Sequence, residues 1–269
     1  MLAAICLVAF PSGPFLAHDP PGDAPSDYLS FSSSSDLFVV VSSDIASNDH
    51  LGRSLAIDGP FAVSGSRYAE HSGAVLTGAA YVFESQGLNW VERQKLIGPD
   101  PQDQDLFGHD VAISGDTLLV SARNDDVGGV IDAGSVYVFV REGAEWVLET
   151  QLIAPDAEDF DAFGVSVTVE GDRAVVGATF DDDFGQTDMG SVYVFLREGG
   201  QWALEAKLTP SDGDAGDDFG RDIALQGDHL VVGAPRHDGS AAGQTGAAYV
   251  FERVEGQWVE TAQLITPDA

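Results

Sequence analysis

Apolar and polar residues alternate with a period of two through most of this chain, in short runs broken by glycine-containing turns. That pattern predicts half-buried strands rather than helices. It is clearest in four runs: Phe107 to Ser114, Thr117 to Ala122, Ser135 to Val140 and Trp146 to Ile153. Gly115-Asp116, Gly171-Asp172 and Gly227-Asp228 supply hairpin turns between first and second runs, and Glu142-Gly143, Glu198-Gly199 and Glu255-Gly256 serve the last two. The expectation is an all-β chain with almost no helix.

The runs recur. Trp90, Trp146, Trp202 and Trp258 are all the tryptophans, and each lies 56 residues from the next. The same step links Tyr81, Tyr137, Tyr193 and Tyr249, then Gly52, Gly108, Gly164 and Gly220, then Asp49, Asp105, Asp161 and Asp217, without gaps. The units run 49–104, 105–160, 161–216 and 217–269, each a four-stranded antiparallel meander. One such meander cannot cover its apolar faces, whereas several packed radially can, which predicts the blades of a β-propeller. The next Asp in phase would fall just past the last residue, so the chain is expected to stop at a blade boundary. Residues 18–48 are polar and Ser-rich, with one β-like run from Leu37 to Val41. The period leaves a ring of four blades, a fifth partial blade, or part of a larger ring open.

Charge narrows the partners. Twelve Lys and Arg stand against 44 Asp and Glu, a net charge of −32. A nucleic-acid backbone or an anionic membrane surface would be repelled, and cations attracted. Solubility or a salty medium accounts for such a charge equally well. The single cysteine, Cys6, excludes a disulfide framework. Leu2 to Phe10 followed by Pro11 makes residues 1–17 resemble a secretory signal without a basic start, and no other segment could cross a bilayer as a helix. No nucleophile elbow, phosphate-binding loop or zinc motif is present, and the six histidines share no phase and are expected at the surface. No catalytic residue is assigned and no enzyme activity is expected.

Asp-x-Phe-Gly opens three units, at Asp105 to Gly108, Asp161 to Gly164 and Asp217 to Gly220, and a second strand ends Val232-Gly233-Ala234-Pro235. These marks resemble the FG-GAP repeat of integrin α-subunit propellers and their bacterial relatives. Leu51 replaces the Phe in the first unit, and the Gly-Ala-Pro slot reads Gly65-Ser66-Arg67, Ser121-Ala122-Arg123 and Gly177-Ala178-Thr179 in the earlier units. Seven blades are common in the family, more than this length holds.

The resemblance implies calcium in the loop after that slot. The third unit offers Asp181, Asp182, Asp183 and Asp188 around Gly185, with Phe184 where the family has an acid, and the second offers Asp125, Asp126 and Asp132. Carboxylates in a turn suit a hard cation that takes six to eight oxygens; a solvated turn explains them equally. Glu70 and Asp238 stand alone in the first and fourth units, which are expected to lack metal. Asp105, Asp161 and Asp217 are read as loop-fixing acceptors, the Trp series as inter-blade packing rather than a sugar platform, and the Tyr series as core. The implied function is a secreted or cell-surface, calcium-binding recognition or adhesion module for protein or carbohydrate. A propeller hydrolase or lyase, an enzyme's accessory domain, and a structural piece of a larger surface protein are the alternatives.

Overall fold

The computed structural model describes residues 42–266 apart from 45, 72, 88, 184 and 239–242. The signal-like segment, Cys6, His18 and the run Leu37 to Val41 lie outside them. Every regular element among the described residues is a strand. The first sheet is β1 (Leu55–Asp58), β2 (Phe61–Ser66), β3 (Ala79–Gln86) and β4 (Asn89–Leu96). The second is β5 (Phe107–Ser114), β6 (Thr117–Ala122), β7 (Ser135–Glu142) and β8 (Glu145–Leu152). The third is β9 (Phe163–Glu170), β10 (Arg173–Ala178), β11 (Ser191–Glu198) and β12 (Gln201–Leu208), and the fourth β13 (Ile223–Gln226), β14 (His229–Ala234), β15 (Ala247–Val254) and β16 (Gln257–Leu264). Each is an antiparallel meander in chain order.

The alternation sets the registers. Ser114 pairs with Thr117 across a two-residue loop whose Gly115 has φ of 57°, a conformation open to glycine at little cost. The Glu142-Gly143 assignment shifts slightly: Glu142 pairs with Glu145 as the last residue of β7, and the loop is Gly143-Ala144.

The first strand of each sheet packs against the first and second strands of the sheet before it. Apolar clusters fill the three spaces between successive sheets, uniting Val63, Val82 and Leu96 with Val111, Val120 and Phe139, and repeating one and two units on. The Phe of each Phe-Gly pair plugs the seam. Phe107, Phe163 and Phe219 are almost wholly buried, each set edge-on or tilted against the Tyr and Phe of its own third strand. Their backbone N–H groups donate to Thr77, Ala133 and Met189 carbonyls of the preceding unit.

The glycines of the motif have a steric cause. A Cβ on Gly177 would lie 2.1 Å from the carbonyl oxygen of Gly220, and one on Gly65 would lie 2.1 Å from that of Gly108. The backbones of successive units meet there with no room for a side chain. Trp146 lies edge-on to Phe61 of the unit before, and Trp202 and Trp258 donate their indole N–H to Glu149 and Glu205 of the units before theirs. Trp146, Trp202 and Trp258 are therefore inter-sheet residues, whereas Trp90 packs within its own unit, and the tyrosines are core.

The four sheets do not close into a ring. Leu55 on β1 is 63% exposed, whereas its counterpart Val111 is 4% exposed. At the other end Leu264 is 54% exposed, whereas Leu208 is 7% exposed. The sheets are arrayed like propeller blades, with one uncovered face at each end of the array.

Gly177→Ala is expected to destabilise the chain by about 1–3 kcal/mol, the range for forcing atoms into a packed site. Gly98→Ala, where the nearest atom to a new Cβ is 3.7 Å away, should be close to neutral. Urea unfolding of the two variants checks this; equal midpoints would remove the steric explanation of the motif.

Candidate cation sites

The loop between β10 and β11 carries the third unit's acids, and a lysine already serves them. Lys207 on β12 places its ammonium 2.9 Å from Asp181, 3.5 Å from Asp183 and 2.8 Å from Asp156. Asp181 also accepts the Tyr193 hydroxyl at 2.6 Å and is buried. Burial alone would depress the Lys207 ammonium, but Asp156 and Asp181 outweigh it and hold its pKa above the ordinary lysine value. Burial, with Asp181 and Asp156 beside it, likewise raises the Tyr193 hydroxyl. Asp182 is turned elsewhere, its carboxylate accepting the backbone N–H of Asp188 at 2.8 Å. The predicted quartet is thus two pairs: Asp181 and Asp183 at the lysine, and Asp182 and Asp188 at the loop.

The second unit divides in the same way without a lysine. Asp125 is buried and accepts from Ser135 at 2.5 Å, Tyr137 at 2.8 Å and Gln151 at 2.9 Å. All three bonds come from its own sheet and fall on one oxygen, Oδ2. Asp126 accepts the backbone N–H of Asp132 at 2.8 Å, and both line a cavity of about 570 Å³ with Asp103 and Asp105 from the segment between the first two sheets. Gln102, Gln104, Asn124 and Ile131 complete its wall. Among the described residues no three acidic, His or Cys side chains converge tightly enough to clamp a metal unaided. The cavity is a wide, oxygen-lined bay, which fits a cation that completes its shell with carbonyls and water.

Lys207 escaped sequence reasoning, although its phase held a signal. The positions in register with it are Lys95, Gln151 and Gln263, and those in register with Asp181 are Ala69, Asp125 and His237. Each combination gives the tyrosine hydroxyl a partner set: Lys95 pairs with Asp44 at 2.6 Å, and Gln263 bonds Tyr249 at 3.1 Å, Asp212 at 3.0 Å and His237 at 3.3 Å. His237 and His109 are buried, contrary to the expectation of surface histidines. His237 stands where an Asp stands in the second and third units, and bonds Asp217 at 3.0 Å.

The acids that open each unit are loop-fixing acceptors. Asp49, Asp105, Asp161 and Asp217 each accept the backbone N–H three residues earlier, at 2.7, 2.6, 2.7 and 3.0 Å. Burial, then the neighbouring Asp125 and Asp126, pushes Asp105 up to about 6. Burial, then Asp181 and Glu158, pushes Asp161 up to about 7. Burial and then Asp126 also raise Asp132.

The repeating sheets and the seam between them match a known repeat. A family model for the FG-GAP repeat matches residues 37–83, 90–139, 146–195 and 202–251, well over half of the chain. The chain belongs to the FG-GAP repeat family. The last three matches begin on the tryptophan of a fourth strand and end on the third strand of the next sheet, so each of these three contains the Phe-Gly seam between two sheets. A search of curated proteins finds no match.

Carboxylates with raised folded-state pKa set a pH dependence. An unfolded aspartate titrates near 3.9, so between about pH 4 and 7 the folded chain holds more protons at Asp105 and Asp161. Stability from these groups is full below the unfolded value and is lost as pH rises through 6 to 7. The melting temperature in calcium-free buffer should therefore rise by a few degrees from pH 8 to pH 5.5. Asp161→Asn, which keeps an oxygen acceptor for the Glu158 N–H, should flatten that slope. An unchanged slope in the variant would refute the assignment.

Proposed function

We propose that this FG-GAP chain is an exported, calcium-binding recognition module that contacts a protein or carbohydrate at a cell surface through its inter-strand loops and catalyses no reaction. FG-GAP repeats are found in adhesion and recognition modules of the integrin type, and no helix among the described residues is long and apolar enough to cross a membrane.

The observation that carries the reading is the oxygen-lined bay of Asp103, Asp105, Asp126 and Asp132. Two carboxylates held about 4 Å apart at an effective dielectric near 20 repel by about 4 kcal/mol. A bound calcium ion would replace that repulsion with attraction and tie the β6–β7 loop to the segment before β5. Asp126 and Asp132 supply the loop's share, and Asp103 and Asp105 the segment's. Asp125 contributes indirectly, because its bonds to Ser135, Tyr137 and Gln151 hold the start of the loop on the sheet. In the third unit the Lys207 ammonium takes the cation's part at Asp181 and Asp183, which leaves Asp182 and Asp188 as that unit's remaining donors.

Extracellular modules bind calcium with dissociation constants near 10⁻⁴ to 10⁻³ M. At 1 mM calcium and the tighter end of that range, linkage adds roughly 1.4 kcal/mol, or about 3–5 °C in melting temperature for a chain of this size. Thermal melts with resin-treated buffer and with 1 mM calcium test it, alongside Asp126→Asn/Asp132→Asn, which should lose the shift. A melting temperature indifferent to calcium would defeat the metal assignment.

A further inference from the structure

The chain's basic residues divide into two groups. Eight of the twelve Lys and Arg form ion pairs: Arg93, Lys95, Arg141, Arg173, Arg197, Lys207, Arg236 and Arg253. The other four, Arg53, Arg67, Arg123 and Arg221, make no ion pair among the described residues. In a protein with 44 acids, four cations without a carboxylate partner would be unremarkable if scattered over the surface. They are gathered at one place.

The repeat explains the gathering. Arg53, His109 and Arg221 share one phase, the residue after the Phe-Gly or Leu-Gly pair, where each first strand begins. Arg67 and Arg123 share another, the third residue of the Gly-Ala-Pro slot, where the second strand ends. Antiparallel pairing puts these two phases at the same end of each sheet, and the first strands of successive sheets pack together. The result is a small cavity of about 160 Å³ lined by Arg53, His109, Ser166 and Arg221, with residues from all four units. Arg67 reaches it from the side, its guanidinium 3.3 Å from Nδ1 of the buried His109.

The groups are close enough to feel one another. Burial, then Arg123, Arg67, Arg53 and Arg221, depresses the His109 imidazole to about 3, so it is neutral and accepts from Arg67 at Nδ1. Burial, then Arg221 and Arg67, depresses Arg123. Their hydrogen-bonding capacity is also unspent: the Nε atoms of Arg67 and Arg123 and the Oγ1 of Thr179, which shares the phase of Arg123, are buried without a partner. Two of the arginines are braced by rings, Arg67 over Tyr68 and Arg123 over Phe180.

The acids nearby are otherwise engaged. Asp110 and Asp222 border the cavity, but Asp110 accepts the backbone N–H of Val167 at 2.8 Å and Asp222 that of Ile223 at 3.1 Å. Asp218 is paired with Arg236, and Asp132 influences Arg123 without forming an ion pair with it.

We propose that Arg53, Arg67, Arg123 and Arg221, with the His109 imidazole, form a binding site for a small oxyanion, of the phosphate or sulfate class, where the first strands of the four sheets meet. Guanidinium groups suit such a ligand because each offers parallel N–H donors to two oxygens. The overall charge of the chain does not forbid it. At physiological ionic strength fields decay over about 8 Å, so most of the 44 acids are screened from the site, and of the two carboxylates that line it burial pushes Asp110 up to about 6. The site is separate from the acidic bay and stands whether or not calcium binds there.

The test is isothermal titration calorimetry of the full chain with inorganic phosphate and with sulfate, in buffer freed of calcium by resin and held at constant ionic strength with chloride. One-to-one saturable binding is expected, with a melting temperature that rises with phosphate and not with matched chloride. Arg67→Gln/Arg123→Gln should weaken binding at least tenfold, yet melt no lower than the native chain in phosphate-free buffer, because mutual repulsion has been removed. Arg221→Gln, at an exposed position, should weaken binding severalfold and guards against a folding defect in the double variant. No saturable heat with either anion, or equal stabilisation of native and variant chains by phosphate, would overturn the proposal.

Discussion

At two of the three joints successive sheets approach backbone to backbone, and apolar side chains fill the space around that contact. Where the Phe-Gly of one unit meets the Gly-Ala slot of the unit before, a carbonyl oxygen occupies the space a Cβ would need, at Gly65 against Gly108 and at Gly177 against Gly220. That approach brings Phe107 and Phe219 fully into the seam and lets their N–H groups reach the preceding unit, and Phe163 is placed alike with Ser121 in the slot. It also sets the spacing at which the Val, Leu and Tyr residues of facing sheets fill the gap. The Phe-Gly and Gly-Ala-Pro marks are two sides of one joint, which is why they recur at the period of the fold. Both ends of the array present half of such a joint, and Leu55, Ile57, Val231 and Leu264 are exposed for that reason.

The same joint organises the charges. Each loop that leaves the slot must turn sharply, and the acids there are shared among three tasks. Some accept backbone N–H bonds, as Asp126 and Asp182 do. Some satisfy the buried tyrosine hydroxyl, as Asp125 and Asp181 do. Asp126 and Asp132 also line an open bay. The slot also places Arg67 beside the first strand of the following sheet, and Arg123 in the same phase one unit on. One turn of the repeat therefore presents oxygen donors in its loop and guanidinium donors at its root.

Most of the architecture was legible in the chain. The Trp, Tyr, Gly and Asp series fall in phase because each occupies an equivalent place in every sheet, and β5 and β6 have the bounds their alternation predicts. The division of the acids was not legible. Asp181, Asp182 and Asp183 are adjacent in sequence, yet the bend of the loop turns two toward Lys207 and one toward the Asp188 N–H. Lys207 lies on another strand, and pairing across β11 and β12 is what brings it under the loop. The buried histidines were missed for a similar reason, since His109 and His237 are polar residues enclosed by a neighbouring unit or loop.

What the sequence by itself determined is the unit: its four strands, its turns, its period and its membership in a family, because these depend on local alternation, on glycine at positive φ and on repetition. What only the tertiary structure decided is which charged groups meet. Coulombic partners are chosen by distance across sheets, and those distances come from packing. Folding therefore turned a run of aspartates toward two different partners, and brought Arg53 and Arg221 to one cavity with Arg67 at its side.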